Sequence, residues 1–290
     1  MKKWSAKRTR DIITIECPLE KNSSWEQYIF IIADQHFDSV HCDRTMMKLD
    51  MEKAKRRNAI ILSGGDFFDA IGGKKDPRST KSELRPEYCK TDYYSAIIDD
   101  AVSHLNKYAD NMAVMCQGNH ECQIIKNAEV DILKHTVDRL NDRAKSNIIQ
   151  GEYEEFVRMS FVPPKNNKKK DTKYSKLFYL NHDYGGASPV TGGTIHHHRI
   201  AEFIKADFIC LGHLHTRMLD ERIWWEVTTQ NTVIEKSCEF IRPAGYKLAR
   251  RPGETTWETV KGIKPKPRGG VWIRFYWNTT TDNLEYEIIK

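Results

Sequence analysis

The chain has no apolar run near eighteen residues and a mean hydropathy of −0.64, so it offers no helix of the kind that spans a bilayer. It has no Cys-x-x-Cys pair. Its seven cysteines are odd in number and irregularly spaced, which argues against a disulfide framework and predicts reduced thiols. The N-terminus is basic but lacks the apolar stretch of a signal peptide. The expected compartment is therefore cytoplasmic. Sixteen Gly and ten Pro in 290 residues exclude a collagen-like or wholly disordered chain, and no internal repeat is visible.

What is present suffices for a sizeable core: 39% of the residues are hydrophobic and 10% aromatic. The net charge of +6 conceals an uneven distribution. Residues 1–10, 165–176 and 242–268 carry +5, +5 and +6, which leaves −10 for the rest. The sequence thus describes an acidic body with basic segments attached.

Residues 27–33, 59–63, 112–116, 176–181 and 207–211 are continuous β-rich runs, the pattern of strands buried on both faces. Helical patterns lie between them. In 92–108, Tyr94, Ile97, Ile98, Ala101, Leu105 and Tyr108 recur at three- and four-residue steps. In 126–140, Val130, Leu133, Val137 and Leu140 share one face. This alternation predicts an α/β fold with a largely parallel central sheet. From about residue 220 the segments 223–229, 232–241 and 271–277 read as strands. The expectation is a single domain over 1–290, with a motif-bearing core at about 28–216 and a β-rich C-terminal portion at about 220–290. Residues 71–91 and 163–173 read as long polar loops.

Each predicted strand ends in a polar motif. In order these are Asp34-Gln35-His36, Gly65-Asp66-Phe67-Phe68-Asp69, Gly118-Asn119-His120-Glu121, Asn181-His182-Asp183 and Gly212-His213-Leu214-His215. Taken singly, each is also a good turn or helix cap. Five in order are another matter: the carboxyl ends of α/β strands are where sites assemble, and Asp, Asn and His are ligands for divalent metals.

This ordered set resembles the calcineurin-like metallophosphoesterases over about residues 28–216. The resemblance implies a four-layer αββα sandwich with two central mixed sheets and two divalent ions at the strand ends. By similarity, Asp34, His36, Asp66 and His215 would hold one ion. Asp66 would bridge to a second, completed by Asn119, His182 and His213. Manganese comes first, with iron, zinc and nickel also suited to mixed N/O ligands. The family chemistry is attack on phosphorus by metal-activated hydroxide, in line with the leaving group. His120, which is not needed as a ligand, is the candidate proton donor, and Asp69 would orient it.

The resemblance also bears on substrate. Phosphoprotein phosphatases of the superfamily carry an Arg directly after the GDxxD aspartate and another just before GNHE, whereas Ala70 and Gln117 stand here. Arg78, Arg85 or Arg222 are the available substitutes. Gly65–Asp69 looks more like the DNA-repair nuclease branch, and the chain is also similar to phage-encoded phosphoesterases. A phosphodiester of nucleic acid or a nucleotide is therefore the favoured substrate, a phosphomonoester or phosphoprotein the alternative, and a catalytically dead scaffold a rival of another class. Basic segments 165–176 and 242–268, the latter with Tyr246 and Trp257, are the candidate nucleic-acid contacts. Residues 185–193 are Gly-rich and could place backbone N–H groups near a phosphate, or form a plain turn. His196, His197 and His198 start a predicted helix over 195–205 and point in different directions, which predicts a structural or surface role. Cys122 reads as a packed or idle thiol. Trp224-Trp225 and Trp272–Trp277 read as core or sheet surface.

Overall fold

A computed structural model describes residues 4–70, 84–89, 91–164, 174–186, 191–248, 250, 253, 255, 257–260, 262 and 264–290. Among the described residues, thirteen strands form two sheets. The larger contains β1 (Ser5–Thr9), β2 (Ile12–Pro18), β7 (Glu154–Val162), β8 (Tyr174–Asn181), β9 (Phe208–Leu211), β10 (Met218–Val227) and β11 (Val233–Arg242). The smaller contains β3 (Glu26–Ile32), β4 (Ile60–Ser63), β5 (Met112–Cys116), β6 (Ile149–Gly151), β12 (Val271–Asn278) and β13 (Asn283–Ile289). Their spatial orders are β1-β2-β7-β8-β9-β11-β10 and β13-β12-β3-β4-β5-β6.

Both sheets are mixed. In the smaller, β3, β4, β5 and β6 run parallel, as the buried apolar runs predict, and β12 is antiparallel to β3. In the larger, β8 is antiparallel to β7 and parallel to β9. The expectation of one largely parallel sheet gives way to two mixed ones, with β3-β4-β5-β6 parallel in the smaller and β2-β7 and β8-β9-β11 parallel in the larger.

Side-chain alternation sets the layers. From β3, Ile29 and Ile31 face the other sheet, where they meet Ile13, Phe178 and Phe208. Phe30 and Ile32 face the helices α1 (Arg44–Arg56), α2 (Tyr93–Leu105), α3 (Asn119–Ala128) and α4 (Ile132–Ala144), whose apolar stripes supply Met47, Ile97, Ile124 and Leu133. On the outer face of the larger sheet, Ile200 and Ala201 of α5 (Thr194–Phe203) pack with Tyr179, Ile209 and Phe240. The order is helix, sheet, sheet, helix.

Two further sequence expectations change. The helix expected over 126–140 breaks: Glu129 has φ 57°, and the Asp131 carboxylate accepts from Lys134 N at 2.8 Å. A side chain that competes for the backbone in this way starts a new helix rather than continuing the old one. Residues 5–9 are not an attached basic segment but a sheet edge, where Arg8 pairs with Glu155 at 2.7 Å. Among the C-terminal strands, β10 and β11 complete one sheet and β12 and β13 the other. Most of the expected loops at 71–91 and 163–173 lies outside the described residues. The seven cysteines form no disulfide, and no helix among the described residues is long and apolar enough to cross a membrane.

Candidate metal centre

Five loops that follow β3, β4, β5, β8 and β9 converge at one end of the two sheets. Two of them are zipped together by main chain: Asp34 N donates to Gly65 O (2.9 Å), His36 N to Asp66 O (3.1 Å) and Phe37 N to Phe67 O (2.7 Å). Stacked Phe37 and Phe67 rings, 5.3 Å apart, anchor this pair of loops in the core. The backbone is unusual here. Asp34, His36, Asp66, His213 and His215 all have φ between 45° and 69°, in the left-handed region. Gly118 cannot carry a side chain, because a Cβ there would lie 2.1 Å from Asp66 Oδ1.

All seven expected metal positions meet in this space. Asp34, His36 and His215 form one group, and Asp66, His182 and His213 a second; within each, the ligand atoms lie within 4.8 Å of one another. His36 Nε2 stands 3.0 Å from His215 Nε2, and Asp34 Oδ1 is 3.3 Å from the latter. Asn119 Oδ1 lies 3.0 Å from His182 Nε2 and 2.8 Å from His213 Nδ1. Asp66 Oδ2 lies between the groups, 3.0 Å from His182 Nε2 and 4.0 Å from His36 Nε2.

The rings are oriented from behind. His36 Nδ1 donates to Asp69 Oδ1 (2.7 Å), His182 Nδ1 to Gly64 O (2.9 Å) and His213 Nε2 to Gly185 O (2.9 Å). Carboxylate and carbonyl oxygens accept only, so each contact fixes the hydrogen on the outer nitrogen and leaves the inner one facing the centre. This is the donor set a divalent cation requires. His213 makes the point: its inner nitrogen faces the Asn119 carbonyl oxygen, and an ion beside both satisfies two acceptors together.

The electrostatics agree. Burial resists ionisation of Asp66, yet His182, His120 and His36 hold it well below the usual carboxylate range. Burial also resists charging of His182, but Asp66, Asp34 and the Gly64 carbonyl push it up to about 10. His36 is lowered to about 4 by burial, against the pull of Asp69, which suits a neutral ligand. With two buried carboxylates at its centre, the site draws positive charge.

Of the two candidate catalytic residues, His120 sits part-buried at the rim and Asp69 lies buried behind His36. His120 is held through Nδ1 by the main-chain carbonyl of Asp69 at 2.5 Å, while the Asp69 carboxylate is 3.5 Å away. The expected orientation by the Asp69 side chain is thus replaced by its backbone, because the carboxylate is engaged with His36. His120 Nε2 points towards Asp66 Oδ2 at 3.8 Å, and His120 also groups with His36 and Asp66.

Some contributors carried no role in the sequence reading. Glu121 is fully buried and accepts from the backbone N–H groups of Asp66, Phe68 and Gly118 at 2.8–3.1 Å. It spans two motif loops, and burial together with Asp66 raises its pKa to about 7. Asp38 accepts from Asp69 N (2.6 Å), Ala70 N (2.9 Å) and the Tyr93 hydroxyl (2.6 Å). Buried Asp183, next to His182, pairs with buried Arg242 at 2.6 Å and with His196 at 2.8 Å. A polar residue beside each motif was the available signal, but charge alone does not reveal which loop it spans.

Other expectations divide. His197 is buried near Phe240 and His198 faces Asp220, so the three adjacent histidines point apart as predicted. Cys122 Sγ lies 3.6 Å from Gln117 Oε1 and belongs to no metal-type group. Trp272 and Trp277 are core, whereas Trp225 is 76% exposed. Within 242–268, Arg242 is buried, Arg268 pairs with Asp43 at 2.5 Å and the buried Tyr246 hydroxyl donates to Asp50, so these three are structural rather than open phosphate contacts. Residues 165–173, 187–190, Arg78 and the Trp257 side chain lie outside the described residues.

A family model for calcineurin-like phosphoesterases matches residues 28–234. Two solved structures are similar. One is a conserved uncharacterised protein of Streptococcus pneumoniae TIGR4, described as a predicted phosphoesterase, at 10% identity, with 92% of this chain and 91% of that one covered and a TM-score of 0.32. The other is a metallophosphoesterase from Sphaerobacter thermophilus at 13% identity, with 91% and 88% covered and a TM-score of 0.31. Curated proteins give no match. The αββα layers and the histidines and carboxylates at their strand ends define a metal-dependent hydrolase of phosphoesters. The family match extends over more than half of the sequence, and the chain belongs to the calcineurin-like phosphoesterases.

Proposed function

We propose that this protein is a dinuclear phosphodiesterase acting on nucleic acid or nucleotides. The observation that carries the preference for diesters is position 70. A phosphomonoester dianion calls for a bidentate Arg clamp, but Ala70 is fully buried there and Gln117 instead donates to Asp131 at 3.4 Å. Of the substitutes, the two among the described residues are engaged elsewhere: Arg85 donates to the Ser39 and Cys42 carbonyls, and Arg222 pairs with Glu202. A diester, with one negative charge fewer, needs no such clamp.

On this reading Asp34, His36 and His215 would hold one ion and Asn119, His182 and His213 the other, with Asp66 available to both. Bound divalent ions supply polarisation of the phosphoryl oxygens and a water of lowered pKa. His120 Nδ1 donates to the Asp69 carbonyl; as an imidazolium the ring would carry a second hydrogen on Nε2, and that is the proton it would deliver to the departing oxygen, becoming a neutral imidazole with its Nδ1 hydrogen kept. Asp69 works through His36, fixing its hydrogen outward. Glu121 keeps the Asp66 loop against Gly118. Residues 1–290 act as one domain, since the last four strands complete both sheets.

The test is turnover of bis-nitrophenyl against mono-nitrophenyl phosphate, with manganese, iron, zinc or nickel added singly. Diester turnover in excess is expected. Turnover of the monoester alone overturns the diester preference, and fewer than one ion bound per chain after reconstitution favours a scaffold.

A further inference from the structure

Strand β10 is an open sheet edge of an unusual kind. Its ten residues pair with β11 alone, in unbroken register from Met218↔Arg242 to Val227↔Val233. The other three edges are short or charged: β1 has five residues with Lys7 and Arg8, β6 has three, and β13 carries Glu285 and Glu287. Lysine, proline, a bulge or brevity keeps an edge strand from pairing with another chain. β10 is long and has no lysine, proline or bulge, and its charges, Asp220, Glu221, Arg222 and Glu226, are of both signs, unlike the single-sign charges named on β1 and β13.

Its apolar face is also uncovered. Ile223, Trp225, Val227 and, across the hairpin, Val233 are 54%, 76%, 68% and 59% exposed. They share one face by alternation and register. Nearer the body, Leu219 and Ile241 on that face pack into the core between the sheets. The smaller sheet ends at β13, whose Tyr286 hydroxyl donates to Glu239 at 2.9 Å. Past this point the hairpin carries the inner face outward with nothing over it among the described residues. The opposite face is occupied, since Arg222 pairs with Glu202 of α5 at 3.0 Å and Lys205 lies 5.3 Å from the Trp224 ring.

We propose that β10 pairs antiparallel with β10 of a second copy of this chain, about a two-fold axis at Trp224. Charge favours a second copy and, among the registers within β10, the pivot at Trp224: a pivot at Glu221 also pairs Asp220 with Arg222 but sets Glu221 against itself, and a pivot at Trp225 forms no ion pair. Side chains opposed across an antiparallel pair point to one side, so a two-fold normal to the sheet must pass through a residue position. A pivot at Arg222 sets Arg222 against itself. A pivot at Ile223 sets Asp220 against Glu226. A pivot at Trp224 sets Arg222 against Glu226 twice and Ile223 against Trp225 twice. That register uses residues 221–227 of each strand, all within β10. The strand is self-complementary there, which a strand selected for a different partner has no reason to be.

The experiment measures self-association of the full chain by sedimentation velocity over a concentration series. The parent is expected to dimerise. Arg222→Glu and Glu226→Arg should each weaken the dimer about tenfold or more, because each turns two attractive pairs into two repulsive ones. Mixing the two variants restores complementarity at both pairs and should yield a heterodimer. Circular dichroism and bound metal, which the hairpin does not touch, should match the parent in both variants. A monomeric parent at every soluble concentration overturns the proposal. So does a dimer that survives both reversals, or a mixture that fails to associate.

Discussion

The two halves of the metal centre are held by different means. On one side, His36 leans on a charged side chain, the Asp69 carboxylate at 2.7 Å. On the other, His182 and His213 lean on main-chain carbonyls of Gly64 and Gly185 at 2.9 Å. A carboxylate raises the basicity of its imidazole and can be deleted by one substitution. A carbonyl cannot be deleted, so that half can be disturbed only through the path of the backbone. One half is tuned by chemistry and the other by geometry.

The largest test removes what the halves share. Asp66→Ala should abolish turnover and bring both ions down together, as read by activity and by metal analysis of the purified protein. Retention of two ions would show that the halves stand independently. His120→Asn comes next, because His120 lies at the rim of both. Its rate should fall about 10²–10⁴-fold, the usual share of a general acid, with metal content unchanged. Loss of an ion would move His120 from proton donor to ligand.

Two smaller changes address the halves separately. Asp69→Asn should weaken one ion about 10–100-fold, the range for supporting partners of metal ligands, and leave the other tight. Gly65→Ala should do the converse. Gly65 has φ 97°, and a Cβ there would lie 2.6 Å from His182 Nδ1, so the His182 half should weaken by about the same factor. Calorimetric titration with manganese reads both as two-step isotherms. Equal weakening of both ions in either variant would erase the distinction between the halves.

Much of this site was legible because its chemistry sits at the ends of apolar runs. Each strand that is buried on both faces announces itself, and the polar residue that stops it is the one presented at the sheet end. Strand β2 escaped because its alternation, with Ile13, Ile15 and Cys17 buried, lies beside a basic stretch that dominates the local charge. The hydrogen-bonding work of Glu121, Asp38 and Asp183 was not legible for a different reason. Apart from the local bond from Gly118 N to Glu121, the contacts named for the three come from segments distant in sequence that meet only after folding, and nothing in their local sequence encodes those partners. For Asp69 the same limit misdirected the expectation, since proximity to His120 was right but the competing His36 ring takes the carboxylate.

The left-handed backbone at Asp34, His36, Asp66, His213 and His215 has a consequence for motion. An L-residue in that region costs roughly 1–2 kcal/mol, and here the five are spread over three loops that hold no core of their own. When an ion is bound, ligation holds these turns shut. With the ion chelated, the same turns carry strain and two buried carboxylates. The strand ends should then breathe while the sheets stay closed. Amide hydrogen exchange at residues 34–36, 65–66 and 213–215 should accelerate on chelation well ahead of β3, β4 and β9, so that release of metal is felt first as local opening and only later as unfolding.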